Sequence, residues 1–240
     1  MDYTEMLRDA YAYTRQGVFE NGSRWIRLIL AIVLLSIPMN GYVMRVYRGA
    51  GSAPEVDRWG RLFIDGLKLM VVAFIYSIPV LVVWLITYGA MVAAILSGQT
   101  VGAAVAGWTP NLGLVMLMYI VEFGVALVLP IASIRFARSD RFSEAFHFGA
   151  IVDQIRRIGW INYVIGIILV AILIAVPVMI LVFVFIILGI FLAALTNFSP
   201  IAILGLLAVA ILLFLILAPL LIVFQARYWT RLYDNAAPVV

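Results

Sequence analysis

The chain is 240 residues long, with 66% hydrophobic and 12% charged side chains, a formal net charge of +4 and a mean hydropathy of +1.15. That much apolar surface exceeds any core a chain of this length encloses, which excludes a soluble globular domain and points to an integral membrane protein. The lack of cysteine excludes disulfides, thiolate metal sites and cysteine nucleophiles, and the single histidine, His147, excludes multi-histidine metal centres.

Residues 1–24 are polar and mixed in charge. Their apolar positions, Tyr3, Met6, Ala10, Tyr13 and Gly17, predict a short amphipathic helix lying on the membrane surface. Acids among the first residues, and no small-residue cleavage site behind an apolar run, argue against a secretory signal. Asn21-Gly22-Ser23 predicts a turn, with Ser23 as a helix N-cap.

Residues 25–44 are the first apolar segment. Only 17 uncharged residues separate Arg27 from Arg45, and Pro38, Asn40 and Gly41 interrupt them. A span needs roughly 20 apolar residues, so this segment either crosses the bilayer or enters and leaves on one side as a re-entrant hairpin. Residues 45–68 predict an interfacial helix, because Asp57, Arg61, Asp65 and Lys68 recur at three- and four-residue spacing.

Residues 69–97 predict a clear span containing Pro79, and the uncharged, glycine-rich residues 97–111 an outer loop. Residues 112–134 predict a second clear span, with Pro130 inside it and Arg135 and Arg138 closing it. Residues 139–159 predict one amphipathic helix whose apolar face holds Phe142, Phe146, Gly149, Val152 and Ile155, braced by an Asp153–Arg157 pair. Residues 160–196 are apolar over a length that exceeds the hydrocarbon core, which predicts tilt, a kink at Pro177 or a protruding outer end. A turn at Asn197-Phe198-Ser199-Pro200 leads to the last span, 201–224. The fold class expected is an all-α integral membrane protein, one domain over 1–240. It has four to five transmembrane helices with proline kinks, plus cytoplasmic interfacial amphipathic helices.

The basic residues are fifteen arginines and one lysine, Lys68. Segments 45–68, 135–157 and 225–240 hold five, five and two of them, and the loops 97–111 and 196–200 hold none. The positive-inside rule places the three basic segments inside, giving a multi-pass plasma-membrane protein with both termini cytoplasmic. If the first segment re-enters, Arg8, Arg15, Arg24 and Arg27 join them on that side.

Two sets of residues stand out as candidate sites. Arg45 and Arg48, Arg135 and Arg138, and Arg227 and Arg231 each close an apolar segment with a proline several residues upstream. Cations at helix C-termini complement the macrodipole, which accounts for the echo structurally; the functional alternative is a ring of arginines that binds lipid headgroups or another phosphate. Glu122, near the middle of its apolar run, is the deepest charge in the chain, with Tyr119 three residues before it on the same helical face. A charge at mid-membrane costs about 2.5–3.5 kcal/mol on the insertion scale and demands a role. It is either a proton or ion site or a neutral acid hydrogen-bonded between helices.

No catalytic constellation appears: no G-x-S-x-G elbow, HExxH, P-loop or paired aspartates. Glu144 and His147, three apart, are an acid–base couple in spacing only. Asn197-Phe198-Ser199 matches a glycosylation triplet that Pro200 and the nearby membrane disfavour. No metal, cofactor or nucleic-acid partner is expected.

GYVMRVYR at 41–48, DRWGRLFIDGLKLM at 57–70, IYSIP at 75–79, RFARSDRFSEAFHF at 135–148 and FQARYWTRLYD at 224–234 carry a resemblance. From about Phe19 onward the chain resembles a prokaryotic family, well represented in archaea, catalogued as domain of unknown function 4013. The resemblance implies a polytopic membrane protein with no assigned activity and supplies no functional residues. A remoter likeness in layout to membrane domains that accompany glycerophosphodiesterases hints at lipid. The expected function is a non-enzymatic membrane protein organising lipids or partner proteins at the cytoplasmic leaflet; the alternative is a channel or ion- or proton-coupled carrier built on Glu122. Gly89, Gly98, Gly102 and Gly107 allow close helix contact, so membrane lipids and a second copy of the chain are the expected partners.

Overall fold

The computed structural model describes residues 1–197 and 199–236, so Phe198 and the last four residues of the predicted polar tail lie outside the described residues. Nine α-helices and no strand occur among the described residues. Four are long and apolar enough to cross a membrane: α4 (Trp59–Leu96), α6 (Leu112–Ser139), α8 (Trp160–Leu195) and α9 (Pro200–Asp234). The apolar run of each supplies the length. The all-α membrane architecture expected from composition is what the chain adopts.

The first apolar segment is not a fifth long helix. It folds as α2 (Gly22–Val33) and α3 (Ile37–Tyr47), which reverse at Leu35 and Ser36, both with φ near +58°. Two consecutive left-handed residues without glycine are costly, on the order of 1–2 kcal/mol each, so packing must hold the reversal. The 12 residues of α2 extend about 18 Å at 1.5 Å per residue, close to half a bilayer. Both ends of the hairpin are tied to one loop, residues 49–58. Arg24 pairs with Glu55 near the start, and Arg45 pairs with Asp57 at 2.6 Å near the finish. Pro38 therefore starts a helix, where its missing N–H is harmless, instead of kinking one.

Pro79, Pro130, Pro177 and Pro219 do lie inside helices, and the 36 residues of α8 continue through Pro177. Near two of them an aromatic donor supplies an extra hydrogen bond. Tyr163 Oη donates to the Leu127 carbonyl at 2.7 Å, and Trp25 Nε1 donates to the Ile216 carbonyl at 2.9 Å. Each accepting carbonyl stands three residues before a proline and next to the one the proline orphans.

Several local expectations are corrected. Residues 49–58 form a loop and 59–68 the first turns of α4, so no separate interfacial helix spans 45–68. The amphipathic face of that stretch is covered: Asp65 and Gly66 are buried against the hairpin. Residues 139–159 are interrupted by left-handed Asp140 and by His147, giving a 3-10 turn (Phe142–Phe146) and α7 (Phe148–Ile158). The buried face of α7 is Ile151, Ile155 and Ile158, because the helical register starts afresh after His147. Asp153 accordingly reaches Arg156 at 3.5 Å and not Arg157. Asn21, not Ser23, caps α2, accepting from the Arg24 N–H. The N-terminal helix α1 (Tyr3–Thr14) runs into a π turn over Arg15–Phe19. Its predicted apolar face is buried at Met6, Ala10 and Tyr13, and α1 packs on α9. The outer loop carries one short helix, α5 (Val101–Ala106).

The core sits at the arginine end. There α1, the hairpin and α7 fill the space between the long helices, burying Tyr42, Phe136, Tyr163 and Tyr228 completely. Toward the far end α4 packs on α6 and α8 on α9. From Ala171 to Leu217, among the described residues, only Ala193 is buried. The apolar side chains of that half face outward, as a lipid-facing surface requires.

Candidate functional site

The six candidate arginines converge on one end of the bundle, and each has a carboxylate partner. Arg45 meets Asp57, and Arg48 meets Asp65 at 2.9 Å and Asp140 at 3.5 Å. Arg135 pairs with Glu144, and Arg138 with Asp234 at 2.6 Å. Asp9 of α1 accepts from Arg227 Nε at 2.7 Å and from Arg231 Nε at 2.8 Å, which pins the N-terminal helix to α9. Chiefly through the Arg231 hydrogen bond, the Asp9 carboxyl is held down to about 2. Arg45 likewise lowers the Asp57 carboxyl. Arg227 also lies over the Tyr13 ring, and burial pushes the Tyr13 hydroxyl up to about 12.

These arginines therefore hold helix ends together. Arg8, Arg27, Lys68, Arg141 and Arg157 make no ion pair among the described residues and are exposed. Glu144 is engaged by Arg135 while His147 stands 3.9 Å from it, so the acid–base couple has a third, cationic member.

Two glycines let the hairpin lie directly on α4. A Cβ on Gly41 would stand 1.9 Å from the Leu62 carbonyl oxygen, and one on Gly66 would stand 1.8 Å from that of Ile37. Gly41 belongs to the GYVMRVYR run and Gly66 to the DRWGRLFIDGLKLM run, so both runs encode one helix crossing and its flanking pairs, Arg45–Asp57 and Arg48–Asp65.

Behind that crossing lies a slot of about 520 Å³ between α3, α4, α6, α8 and α9. Most of its wall is apolar, but Ser36, Asn40, Ser133 and Gln225 also line it. A second cleft, about 490 Å³, opens at the surface between α1 and the 49–58 loop, lined by Asp9, Tyr13, Arg24, Glu55 and Arg227. No group of three or more metal-ligating side chains occurs among the described residues.

Glu122 and Tyr119 are both exposed on α6, and neither forms a hydrogen bond to the other or to another described residue. The structure thus brings the arginines together but leaves the carboxylate apart, about three and a half turns from Arg135.

A family model described as "Protein of unknown function (DUF4013)" matches residues 26–186. The chain belongs to this family. No curated protein and no solved structure matches it. The stretch matched in this DUF4013 protein runs from the hairpin through most of α8, and so includes the glycine crossing and Glu122.

Sequence reasoning missed Arg24, whose side chain is buried at the foot of the hairpin, donating to the Gly17 carbonyl at 2.8 Å and pairing with Glu55. It also missed the acidic partners of the arginines. The signal for Arg24 was present, an arginine beside the N-cap of an apolar segment too short to span.

Proposed function

We propose that this DUF4013 protein is a non-enzymatic organiser of lipid in the leaflet that surrounds its arginine end. The positive-inside rule makes that leaflet the cytoplasmic one of the plasma membrane, with both chain ends on that side. The observation that carries the reading is the α2–α3 hairpin. Its two ends are held to one loop and it exposes the apolar residues Ile26, Leu30, Val33 and Leu35, which supports insertion into a single leaflet. Arg8, Lys68, Arg141 and Arg157, exposed and without an ion pair among the described residues, offer charge to anionic headgroups, each worth about 1 kcal/mol near such a surface.

The test is native mass spectrometry of protein released from nanodiscs that contain anionic phospholipid. Replacing Arg8, Lys68, Arg141 and Arg157 together by glutamine should strip retained anionic lipid and leave the melting temperature nearly unchanged. Equal retention in the variant would sink the reading.

A second reading, an ion- or proton-coupled carrier, is favoured by Glu122 standing beside a slot with polar side chains. It predicts proteoliposome flux in the wild type that disappears in Glu122→Gln.

A further inference from the structure

The slot of about 520 Å³ between α3, α4, α6, α8 and α9 is shut at its arginine end. Tyr47, Ser133, Ala226 and Trp229, which line it there, are all buried. Its exposed rim is Ala126 on α6, Ala171 on α8 and Gln225 on α9. Ala126 lies nine residues, about 13.5 Å, before Arg135, and Ala171 eleven residues, about 16.5 Å, after Trp160. Both alanines are therefore well inside a hydrocarbon core about 30 Å thick. The slot opens sideways, into lipid.

The closed end carries hydrogen-bonding capacity that the protein does not use. Tyr47, Ser133 and Trp229 are only 9%, 6% and 7% exposed. Among the described residues their side chains make no hydrogen bond. The side-chain polar atoms sealed off without a partner are Arg24 Nε, Tyr42 Oη and Arg135 Nε, so those of Tyr47, Ser133 and Trp229 each keep an open side. The slot is the cavity that all three line. An unmade hydrogen bond at a buried donor is costly, and three at one end of a cavity call for an acceptor. Tyr47 and Ser133 both donate and accept, whereas Trp229 only donates, so the set suits a ligand with acceptor oxygens. Asn40 also lines the slot; its amide nitrogen donates to the Ser36 carbonyl at 2.9 Å, which leaves its side-chain oxygen for a hydroxyl.

Charge narrows the ligand further. No charged side chain lines the slot among the described residues. The arginines nearest its closed end are committed, Arg48 to Asp65, Arg135 to Glu144 and Arg227 to Asp9. A phosphate in the slot would be a buried charge without a counter-ion. The head that fits is uncharged.

We propose that the slot binds a neutral chain lipid, one whose uncharged head carries carbonyl or hydroxyl oxygens. The head lies at the closed end against Tyr47, Ser133 and Trp229, and the chain leaves past Ala126 and Ala171 into the bilayer. The volume of about 520 Å³ falls within the range of roughly 300–1,000 Å³ usual for small-molecule pockets, room for the head and the first stretch of chain. None of Arg8, Lys68, Arg141 and Arg157 lines the slot, so this site is separate from the retention of anionic lipid and fails or stands independently of it. Two kinds of lipid share the required chemistry: a diacylglycerol, through its ester carbonyls and hydroxyl, and a quinone, through its ring carbonyls.

The test is photo-crosslinking of the full chain in phosphatidylcholine nanodiscs. One probe is a diacylglycerol with a diazirine a few carbons from its ester, and the other a quinone with a diazirine at the start of its chain. At least one should label α6 around Ser133 and α9 around Trp229, saturably, and the one that does names the source. An excess of the same lipid without diazirine should displace it, while equal amounts of hexadecane or phosphatidylglycerol should not. Label from neither probe, label spread over the outer faces of the spanning helices, or equal displacement by hexadecane or phosphatidylglycerol would overturn the proposal. Tyr47→Phe with Ser133→Ala should weaken the apparent affinity by at least about tenfold, the loss expected for two hydrogen bonds. The melting temperature of that variant in lipid-free detergent should equal or exceed the wild-type value, because the groups removed have no protein partner. Unchanged affinity, or a lower lipid-free melting temperature, would count these side chains as structural and overturn their role in binding. Should the double variant not fold, Ser133→Ala alone should weaken labelling by at least about threefold, and the labelling map of the wild type decides where the head lies.

Discussion

Arg48 and Arg138 exchange hydrogen bonds: each donates its Nε–H, at 3.2 Å, to the carbonyl of the residue just before the other, Ala137 and Tyr47 respectively. The C-termini of α3 and α6 thereby satisfy one another's orphan carbonyls through cations, which also answers both macrodipoles. Each arginine then reaches onward, Arg48 to Asp65 and Asp140 and Arg138 to Asp234, so four segments meet at this exchange.

Arg48→Ala should cost more stability than Arg138→Ala. Asp65 is only 4% exposed, and removing Arg48 leaves that carboxylate with only Arg61, 4.0 Å away. A loss of roughly 3 kcal/mol is expected for Arg48→Ala, as for breaking a buried pair, and about 1 kcal/mol for Arg138→Ala, whose partner is largely exposed. Denaturant titration in detergent micelles, with tryptophan fluorescence as the signal, ranks the two. The reverse order would count against the exchange as a keystone.

The Asp9 junction is sensitive to acid. Its folded carboxyl sits at about 2, below the usual 3.8, so the unfolded chain takes up the proton first as pH falls. The stability it contributes is complete above about pH 4 and is lost progressively toward pH 2. In Asp9→Asn that part of the acid dependence should vanish, and α1 should become more open to proteolysis at pH 7. An unchanged acid limb of the melting curve would contradict the assignment.

Gly41→Ala and Gly66→Ala should each be among the most damaging small substitutions. The added methyl would meet backbone at under 2 Å, and backbone cannot rotate aside. Overpacking of this kind costs about 1–3 kcal/mol or more. Gly60→Ala and Gly89→Ala, which meet nothing within 4 Å, serve as controls and should be neutral or slightly stabilising. Expression and thermal shift read all four.

Tyr163→Phe and Trp25→Phe should each cost about 0.6–1.7 kcal/mol, the range for interhelical hydrogen bonds in membranes. Their carbonyl acceptors stand three residues before Pro130 and Pro219, so the donors lost are those serving backbone next to a proline-orphaned carbonyl. Combining Tyr163→Phe with Pro130→Ala, which restores a helical N–H next to the acceptor, should soften the loss. Strict additivity in that double-mutant cycle would show the two features to be independent.

The four long helices were legible because each apolar run exceeds the span requirement by itself. The hairpin was legible as a choice, since 17 uncharged residues broken by Pro38 and Gly41 suit neither a full span nor a loop. Choosing between them required Glu55 and Asp57, residues whose contacts with Arg24 and Arg45 no local pattern encodes. The arginines were legible as helix ends, but Asp9 lies 218 residues from Arg227, and a pairing at that separation leaves no trace in spacing. Periodicity misled where it ran across a break. The face drawn through Phe142 to Ile155 assumed one register, and His147 resets it.

The burial gradient has a consequence for how the protein tolerates different bilayers. With almost nothing buried from Ala171 to Leu217, the far halves of α8 and α9 carry no jigsaw that fixes their length. A helix of 36 residues reaches about 54 Å, well beyond a hydrocarbon core of about 30 Å, so these arms accommodate thickness by tilting. Deleting a turn from both arms together would shorten the molecule without disturbing the core at its arginine end. The chain is anchored like a tent, staked along one side and free to take up slack on the other.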